Sequence, residues 1–324
     1  MEAYVYKLSF YILLFIIGFA IFFNISILEC KKFNLTDQTG KIIIITGANS
    51  GLGLFSSSYL SKAGAHIIMA CRNITKGEEA RSNILKNNPK ASLKLFELDL
   101  ASFDSVKKFA SSISKNYKSI DVLVNNAAEW TIERKLTVDG VERHIGVNHL
   151  SHFLLTILLL PKLSEKGRII NVSSGAYMFA RSDFVKEDFQ SSNNYNPLIA
   201  YGNSKAANLY FTYELNKRLE QLKSRKISIA THPGYTATNL LEGKVPFWSY
   251  LCKFIAMKVE DGALAQIIAA TDPLMQPSMN SFFGPKYLMF GYPSVQYTGK
   301  SDIEAQEKLW DISVQITGAK FKAI

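Results

Sequence analysis

A tyrosine and a lysine stand four residues apart in the stretch YGNSK, at Tyr201 and Lys205. Residues four positions apart share one face of a helix, so the two side chains are neighbours if this stretch is helical. A phenol, with an ordinary pKa of about 10, becomes an efficient acid or base near neutral pH only when that pKa is lowered. An ammonium group one turn away can lower it. The pair therefore predicts proton transfer to or from an oxygen atom of a substrate.

Two serines, Ser173 and Ser174, end the apolar run GRIINVSS. A hydroxyl group at the end of a buried strand can donate a hydrogen bond to a substrate oxygen and polarise it. The alternatives are structural: paired serines often cap a following helix, and a tyrosine four residues before a lysine occurs in many helices without any function. The chemistry therefore depends on whether the fold brings a serine close to the tyrosine.

The elements that must position these groups form a repeating pattern from Lys41 onward, in which short β-branched runs alternate with amphipathic stretches. We predict strands at residues 41–47, 65–71, 92–100, 120–128, 167–174, 227–234 and 286–290, and helices at 52–63, 76–88, 103–117, 140–164, 198–224, 259–271 and 302–317. Alternating strands and helices give parallel strands joined by right-handed crossovers, with helices on both faces. The predicted fold class is α/β: a single Rossmann-type, doubly wound parallel sheet over residues 33–324.

Three glycines follow the first predicted strand and open a helix in the stretch ITGANSGLG, at Gly47, Gly51 and Gly53. Glycine permits a tight turn and a close approach of the backbone to a pyrophosphate, whose negative charge the helix N-terminus favours. Three glycines alone also fit an ordinary strand-to-helix turn. The strand before them and the helix and strand after them favour a dinucleotide site.

Arg72 follows the second predicted strand, at a position where a NAD-dependent enzyme usually has a carboxylate for the ribose hydroxyls. Its planar guanidinium group can pair with a 2′-phosphate, and the stretch Cys71-Arg72-Asn73 contains no carboxylate that would repel that phosphate. NADP(H) is therefore expected in preference to NAD(H), although an exposed arginine at a strand end needs no ligand. Asp99, at the end of the third strand, is expected over the adenine. The small residues of NNAA, 125–128, let the backbone approach the cofactor.

The motifs TGANSGLG, ACRN, LDL, NNAA, VNHLSHFLLT, INVSS, YGNSK and HPGYTAT occur in the order and spacing of the short-chain dehydrogenase/reductase family. The resemblance covers about residues 41–239 and, as a set of motifs, is highly specific. Within the family, the chain is most similar to the membrane-anchored, retinol-dehydrogenase-like branch. The stretch DFQSSNNYNPLIAYGNSKAA also resembles enzymes that oxidise polyprenols or other long lipids.

The resemblance implies an NADP(H)-dependent oxidoreductase that interconverts a lipophilic alcohol and its aldehyde or ketone. It assigns catalysis to Ser174, supported by Ser173, with Tyr201 as acid or base, Lys205 also bonding the nicotinamide ribose, and Asn148 holding a water that links Lys205 to solvent. Thr236 and Thr238 are expected to meet the nicotinamide carboxamide. The implied cofactor-binding residues are Gly47, Asn49, Ser50, Gly51, Leu52, Gly53, Arg72, Asp99, Leu100, Asn126, Ala127, Tyr201, Lys205, Pro233, Gly234, Thr236 and Thr238.

Two small departures from the family pattern stand beside the predicted cofactor site: Ala128 replaces a glycine, and Glu129 replaces an apolar residue. They affect the expected shape of the pocket more than its chemistry. Two other functions stay open. One is a catalytically silent, membrane-tethered scaffold or sensor that binds NADP(H), and the other is an epimerase or dehydratase, which the short C-terminal part disfavours.

The N-terminal stretch LSFYILLFIIGFAIFFNISIL, residues 8–28, carries no charge. As a helix that rises about 1.5 Å per residue, it would span the hydrocarbon core of a bilayer, roughly 30 Å thick. We predict a retained anchor in residues 1–32, with a cleaved signal peptide as the alternative. Lys31 and Lys32 place the following domain in the cytosol. The endoplasmic reticulum or the lipid-droplet surface is the expected location.

Composition narrows the classes of partner. The 37 Lys and Arg residues exceed the 27 Asp and Glu residues by ten, but they are scattered, so a membrane surface is favoured over nucleic acid. Three cysteines, widely spaced, suggest neither a disulfide framework nor a metal site. The histidines have no metal-ligand spacing. The oligomeric state stays open, with a homodimer among the alternatives.

Residues 239–258, NLLEGKVPFWSYLCKFIAMK, are rich in large apolar side chains. We expect them to form a substrate lobe with an apolar pocket that opens toward the bilayer, although plain packing of an irregular segment would have the same composition. A retinoid, steroid or isoprenoid substrate follows from this expectation. The residues expected to line the pocket are Leu240, Leu241, Val245, Phe247, Trp248, Tyr250, Leu251, Phe254 and Ile255.

Overall fold

One eight-stranded sheet forms the centre of the part of the protein that the computed structural model describes, namely residues 18, 33, 35–237, 256–276, 281–298 and 302–321. The strand order is β3-β2-β1-β4-β5-β6-β7-β8, with β1 to β7 parallel and β8 antiparallel to β7. The strands are β1 (Ile42–Thr46), β2 (His66–Cys71), β3 (Ser92–Glu97), β4 (Ile120–Asn125), β5 (Leu163–Val172), β6 (Ile227–Thr231), β7 (Ser281–Pro285) and β8 (Pro293–Tyr297).

Helices cover both faces of this sheet. They are α1 (Gly51–Lys62), α2 (Ile74–Asn87), α3 (Phe103–Asn116), α4 (Ser151–Leu159), α5 (Phe184–Glu187), α6 (Pro197–Gln221), α7 (Val259–Thr271) and α8 (Ile303–Thr317). One apolar core joins α3, α4, α6 and α8 to one face, and a second core joins α1, α2 and α7 to the other. The doubly wound α/β fold with a parallel central sheet is therefore confirmed.

Apolar strand residues alternate between the two cores. Ile44 and Leu123 belong to the core under α3, α4 and α6, whereas Ile43 and Val124 belong to the core under α1, α2 and α7. Successive side chains of a strand point to opposite faces, so a strand covered on both faces must be apolar at consecutive positions. This requirement explains the unbroken apolar runs from which the strands were predicted.

The C-terminal end of the sheet differs from the prediction. The strand expected at residues 286–290 is instead the turn between β7 and β8. In this turn, the amide of Leu288 donates to the carbonyl of Pro285, and the amide of Tyr287 donates to that of Phe290. Leu288 adopts a φ of 64°, which a strand residue does not. The apolar composition of KYLMF therefore reflects packing of a hairpin turn, and the two strands that flank this turn, β7 and β8, were not predicted.

The helix predicted at residues 140–164 is shorter and mixed in type. Gly140, with a φ of 76°, lies in a turn before it. The helical path continues as a π-helix over Ile145–Leu150, as α4, and as a 3₁₀ turn over Leu160–Lys162. Pro161 lies in that last turn, and β5 begins directly after it. A π-helix has wider turns than an α-helix and is frequent at functional sites.

The segment before β1 packs along α1. The ring of Phe33 lies 6.5 Å from that of Tyr59, and the amide of Gln38 donates to the carbonyl of Ala63 at 2.7 Å. Tyr59 also stacks on Phe55, with 5.5 Å between ring centroids. Phe33 and Gln38 thus fix the described residues before β1 to this helix and its C-terminal end.

None of the helices within the described residues has the length and apolar character needed to cross a membrane. The predicted anchor lies in residues 1–32, of which the structure describes Gly18 alone. The anchor and its location therefore stay predictions, as does the division of the chain at residue 33.

Candidate active site

The turn between β1 and α1 provides a cradle for a pyrophosphate. Gly47 and Gly51 have φ values of 66° and 51°, a region that favours glycine. A Cβ atom on Gly53 would lie 2.4 Å from the carbonyl oxygen of Gly47, so no larger residue fits there. The N-terminus of α1 follows at once and presents unpaired N–H groups. The residues present thus fit a dinucleotide phosphate.

A cleft of ≈ 480 Å³ opens above this turn, along the edge where the parallel strands end. Its walls come from the segments that follow β1, β2, β3 and β4, which is where α/β sheets bind ligands. Ten of the predicted cofactor-binding residues line it together: Gly47, Asn49, Ser50, Gly51, Leu52, Arg72, Asp99, Leu100, Asn126 and Ala127. Gly53 packs below the cleft, against the side chain of Asn126.

Arg72 lies at the rim of the cleft, directly after β2, with 60% of its side chain exposed. The neighbouring Asn73 caps α2 by accepting a hydrogen bond from the amide of Lys76 at 2.9 Å. Asp99 accepts a hydrogen bond from the amide of Ala101, also at 2.9 Å, so its carboxylate shapes the turn after β3. The guanidinium group of Arg72 is therefore a positive charge of the cleft that can reach a ligand.

Ser174, Tyr201 and Lys205 come together at the ends of β5 and the first turns of α6. The hydroxyl of Ser174 lies near that of Tyr201, where it favours the phenolate and so acts to lower the pKa of the tyrosine. The Nζ atom of Lys205 lies 5.5 Å from the centroid of the Tyr201 ring. The two side chains of YGNSK therefore share a helix face, and the serine from the distant strand joins them. Their roles in catalysis are a proposal, developed below.

Burial acts strongly on the two titratable groups of this cluster. Tyr201 is 7% exposed and Lys205 is 1% exposed. Burial raises the pKa of Tyr201, and the nearby hydroxyl of Ser174 opposes that rise. Burial also lowers the pKa of Lys205 to about 7. We expected the lysine to lower the pKa of the phenol, but the pKa of the phenol is raised. The reason is that desolvation disfavours the charged form of each group, the phenolate as well as the ammonium.

Three hydrogen bonds clamp β5 to α6 around Lys205. Its Nζ atom donates to the carbonyl of Val172 at 3.0 Å, and the hydroxyl of Ser173 donates to the carbonyl of Lys205 at 2.8 Å. Asn208, one turn further along α6, also donates to Val172, at 3.3 Å. Ser173 thus holds the backbone of the lysine, and its predicted supporting part in catalysis stays a prediction.

Asn148 lies within the π-helix and is fully buried. Its side-chain oxygen accepts from the amide of Glu129 at 2.8 Å, and its Nδ2 atom donates to the carbonyl of Glu129 at 3.1 Å. The same Nδ2 atom also donates to the hydroxyl of Ser204 at 3.0 Å, next to Lys205 in sequence. Asn148 therefore ties the segment after β4 to α6, and its predicted part in a proton relay stays a prediction.

The loop after β6 meets the β7–β8 hairpin. Gly234 has a φ of 68°, and a Cβ atom there would lie 2.5 Å from the carbonyl oxygen of Met289. The hydroxyl of Thr236 donates to the carbonyl of Pro233 at 2.7 Å, which closes the loop. Thr238 and residues 239–255, most of the predicted substrate lobe, lie outside the described residues.

Sequence reasoning missed two aromatic contacts of Tyr201. Trp130 meets the tyrosine ring edge-on at 5.1 Å between centroids, and His144 does so at 5.8 Å. His144 is fully buried, and its Nε2 atom accepts from the amide of Thr131 at 2.9 Å. The position of Trp130 in the sequence could have predicted its contact, because Trp130 follows β4, whose carboxyl end lies at the same edge of the sheet as the cleft.

Comparisons with known proteins agree over most of the chain. A profile of the family described as short chain dehydrogenase matches residues 41–186. Retinol dehydrogenase 12 of Mus musculus is 33% identical over 288 residues, which cover 87% of this chain and 88% of that protein. Retinol dehydrogenase 14 of Mus musculus is 36% identical over 299 residues, which cover 86% of each. A crystal structure of an uncharacterised protein from Mycobacterium paratuberculosis is similar at a TM-score of 0.73 and 36% identity, covering 89% of this chain and 97% of that one.

This similarity is not confined to the cleft. The profile match begins one residue before β1 and runs through Ser174 into α5, and the two dehydrogenases extend it to more than four fifths of the chain. Sequence identity of about a third thus extends over more than four fifths of the chain, and the solved structure shares its fold. The chain therefore belongs to the short-chain dehydrogenase/reductase family of oxidoreductases, within its retinol-dehydrogenase-like branch.

Proposed function

We propose that the protein is an NADP(H)-dependent oxidoreductase that interconverts a lipophilic alcohol and its aldehyde or ketone. The observation that carries this proposal is the cluster of Ser174, Tyr201 and Lys205 at the same sheet edge as the glycine cradle. When bound, the nicotinamide ring accepts or supplies the hydride. The protein's own residues must then bind the substrate oxygen and move one proton.

The contacts of the cluster suggest a division of labour. Tyr201 exchanges the proton with the substrate oxygen, because its hydroxyl lies near that of Ser174, which can favour the phenolate. Ser174 holds and polarises that oxygen. Lys205, whose pKa burial lowers to about 7, can gain or lose a proton near neutral pH and so exchange charge with the phenol. It is also expected to bond the nicotinamide ribose.

Three considerations support NADP(H) and a lipophilic substrate. Arg72 is an accessible cation at the rim of the cleft, and β2 is not followed by a carboxylate. Retinol appears in the names of the relatives. Trp130 contributes an apolar surface against Tyr201. With the uncharged stretch at residues 8–28, these considerations favour a retinoid, steroid or polyprenol-like alcohol reached from a membrane such as the endoplasmic reticulum or a lipid droplet.

Replacing Tyr201 by Phe tests the proposal. Loss of the hydroxyl removes the proton carrier, so we expect turnover of a lipid alcohol to fall by about 10² or more while NADP⁺ affinity changes little. The screen follows absorbance of the reduced cofactor with retinoid, steroid and polyprenol alcohols. Tyr210→Phe is the matched control, since Tyr210 lies on the same helix but stacks on Phe184 away from the cluster.

Two results would contradict the proposal. Unchanged turnover in the Tyr201→Phe variant would remove Tyr201 from the mechanism. NADP⁺ binding by the natural protein without turnover of any alcohol or carbonyl compound would favour the silent scaffold or sensor instead.

A further inference from the structure

We propose that Glu129 adjusts the cofactor preference by competing with a 2′-phosphate group for Arg72. This inference depends on the proposed function, in which Arg72 binds that phosphate. Glu129 is one of the two residues at which the chain departs from the family pattern, and it lines the cofactor cleft. A negative charge at this place is unexpected in a site proposed to accept phosphates.

The carboxylate of Glu129 is held in the cleft from two directions. The side chain of Asn148 bonds both the amide and the carbonyl of Glu129, which fixes its backbone. The Nε atom of Arg143 donates to the Oε2 atom of Glu129 at 2.8 Å. Only 22% of the Glu129 side chain is exposed. The carboxylate therefore cannot leave the cleft without breaking the contact with Arg143.

The second carboxylate oxygen of Glu129 faces Arg72. Its Oε1 atom lies 3.9 Å from the Nη1 atom of Arg72. Arg72 follows β2 and Glu129 follows β4, and β1 lies between these two strands, so the pair reaches over the end of β1. The glycine cradle begins at that end, with Gly47. One guanidinium group thus has two anionic partners available, the carboxylate and a 2′-phosphate.

The competition affects the two dinucleotides differently. A 2′-phosphate carries up to two negative charges and bonds a guanidinium group with two parallel hydrogen bonds, so it displaces a carboxylate that lies at 3.9 Å. The ribose hydroxyl of NAD(H) is uncharged and leaves the ion pair in place. Glu129 therefore weakens the binding of NADP(H) and has little effect on NAD(H). Because Arg72 is largely exposed, the expected effect on affinity is about two- to fivefold.

Replacing Glu129 by Gln tests this inference without emptying the site, because the amide oxygen of Gln can still accept from Arg143. We expect the variant to bind NADP⁺ about two- to fivefold more tightly and NAD⁺ with unchanged affinity. The measurement is titration of the detergent-solubilised full chain, followed by tryptophan fluorescence. Glu133→Gln is the matched control: Glu133 is an exposed acid that faces Lys135 and does not line the cleft.

The decisive comparison adds Arg72→Ala, alone and together with Glu129→Gln. If Glu129 acts through Arg72, its replacement has no effect once Arg72 is gone. Equal tightening of NADP⁺ and NAD⁺, or tightening that persists without Arg72, would overturn the inference in favour of simple repulsion between Glu129 and the pyrophosphate. No change, or weaker NADP⁺ binding, would overturn it as well.

The same titrations separate this inference from the proposed function. If Arg72→Ala weakens NADP⁺ binding and leaves NAD⁺ binding unchanged, but Glu129→Gln has no effect, the NADP(H) proposal stands and only the part of Glu129 is refuted. If Arg72→Ala affects both dinucleotides alike, Arg72 does not bind the 2′-phosphate. The proposed preference for NADP(H) through Arg72 and the proposed part of Glu129 then both fail. A thermal unfolding curve for each variant shows that the compared proteins are folded.

Discussion

At the scale of the residue, burial makes both partners of the Tyr201–Lys205 pair prefer their neutral forms. It raises the pKa of the phenol and lowers that of the ammonium to about 7. The lysine is placed by its bond to the carbonyl of Val172 and has little access to water. A buried lysine with such a pKa can change its charge near neutral pH, which an exposed lysine does not do.

Lys205 should therefore make stability depend on pH. In the unfolded chain a lysine keeps its proton up to a pH of about 10.4, whereas in the folded protein Lys205 loses it above a pH of about 7. Between these values the unfolded state binds more protons, so the free energy of unfolding should rise with pH, relative to that of a Lys205→Met variant. Urea unfolding of both proteins across this range measures the difference.

A replacement of the exposed Lys166 by Met serves as the control, because the side chain of Lys166 faces water in the folded protein as it does in the unfolded chain. We expect the stability difference between the Lys166→Met variant and the natural protein to stay constant with pH. A constant difference for Lys205→Met would mean that Lys205 retains its proton in the folded protein, and its part in charge exchange would have to be abandoned.

The sequence predicted the neighbours within one helix better than those between segments. The pairing of Tyr201 with Lys205 follows from helix geometry alone, and the family spacing added Ser174. The partners of Glu129 could not be predicted in this way. Arg72 and Arg143 lie 57 and 14 positions from it in the chain, and only the parallel arrangement of β2 and β4 brings the first of them within 3.9 Å.

At the scale of the element, a network of hydrogen bonds between buried amide and hydroxyl side chains joins three strands below the candidate active site. Asn125 on β4 donates to Thr156 at 2.9 Å and to Asn171 on β5 at 2.8 Å. Asn171 in turn donates to Thr212 on α6 at 2.9 Å and to Ser228 on β6 at 3.0 Å. Asn125 and Asn171 are paired in the sheet, so these hydrogen bonds fix which residues of β4 and β5 stand side by side.

Replacing Asn171 by Leu should destabilise the protein by about 2–4 kcal/mol, because it leaves buried polar groups on two strands and a helix without their partner. Thr212→Val removes a single hydroxyl of similar shape and should cost about 1 kcal/mol. Urea unfolding of the two variants provides the test. Equal losses for both would show that Asn171 does not organise the group.

Local signals account for the elements that were predicted well. The C-terminal helix α8 begins after Asp302, which caps it by accepting from the amide of Ala305 at 3.0 Å, and ends at Gly318, whose φ is 66°. Such caps can be read from the sequence. The π-helix could not be read in this way. It is accompanied by long-range contacts, namely those of Asn148 with Glu129 and Ser204.

At the scale of the whole molecule, the packing of the segment after residue 32 allows a test of the predicted anchor. A protein without residues 1–32 keeps the contact between Phe33 and Tyr59 and every described bond of the sheet. We expect it to fold and to bind NADP⁺ as the full chain does. The full chain should stay with membranes through carbonate extraction, because an uncharged helix of this length favours the bilayer core.

The carbonate extraction of the full chain and the folding of the shortened protein test different predictions. A full chain released from membranes by carbonate would refute the anchor and leave the enzyme proposal untouched. A shortened protein that fails to fold would show that residues 1–32 belong to the globular domain, against the predicted division at residue 33.

Most of the sheet was predictable because its central strands are covered on both faces and are mainly apolar. The strand β3, SLKLFE, is partly exposed and alternates polar and apolar residues. The exception is the hairpin of β7 and β8, where short runs such as KYLMF fit both a strand and a packed turn. The identity of the substrate cannot be derived from such local sequence patterns. It depends on the shape of a pocket, to which segments distant in sequence contribute, and most of the predicted substrate lobe lies outside the described part of the chain.

The clamp between β5 and α6 has a consequence for how such an enzyme can diversify. Because Val172, Ser173 and Lys205 hold each other through backbone carbonyls, and residues 176–180 pack against Gly202, the positions of Ser174 and Tyr201 are fixed by contacts close to them. The exposed residues 192–194 also lie between the two elements but take no part in this clamp. Under the proposed mechanism, changes there can alter the specificity for an alcohol while Ser174, Tyr201 and Lys205 keep their arrangement.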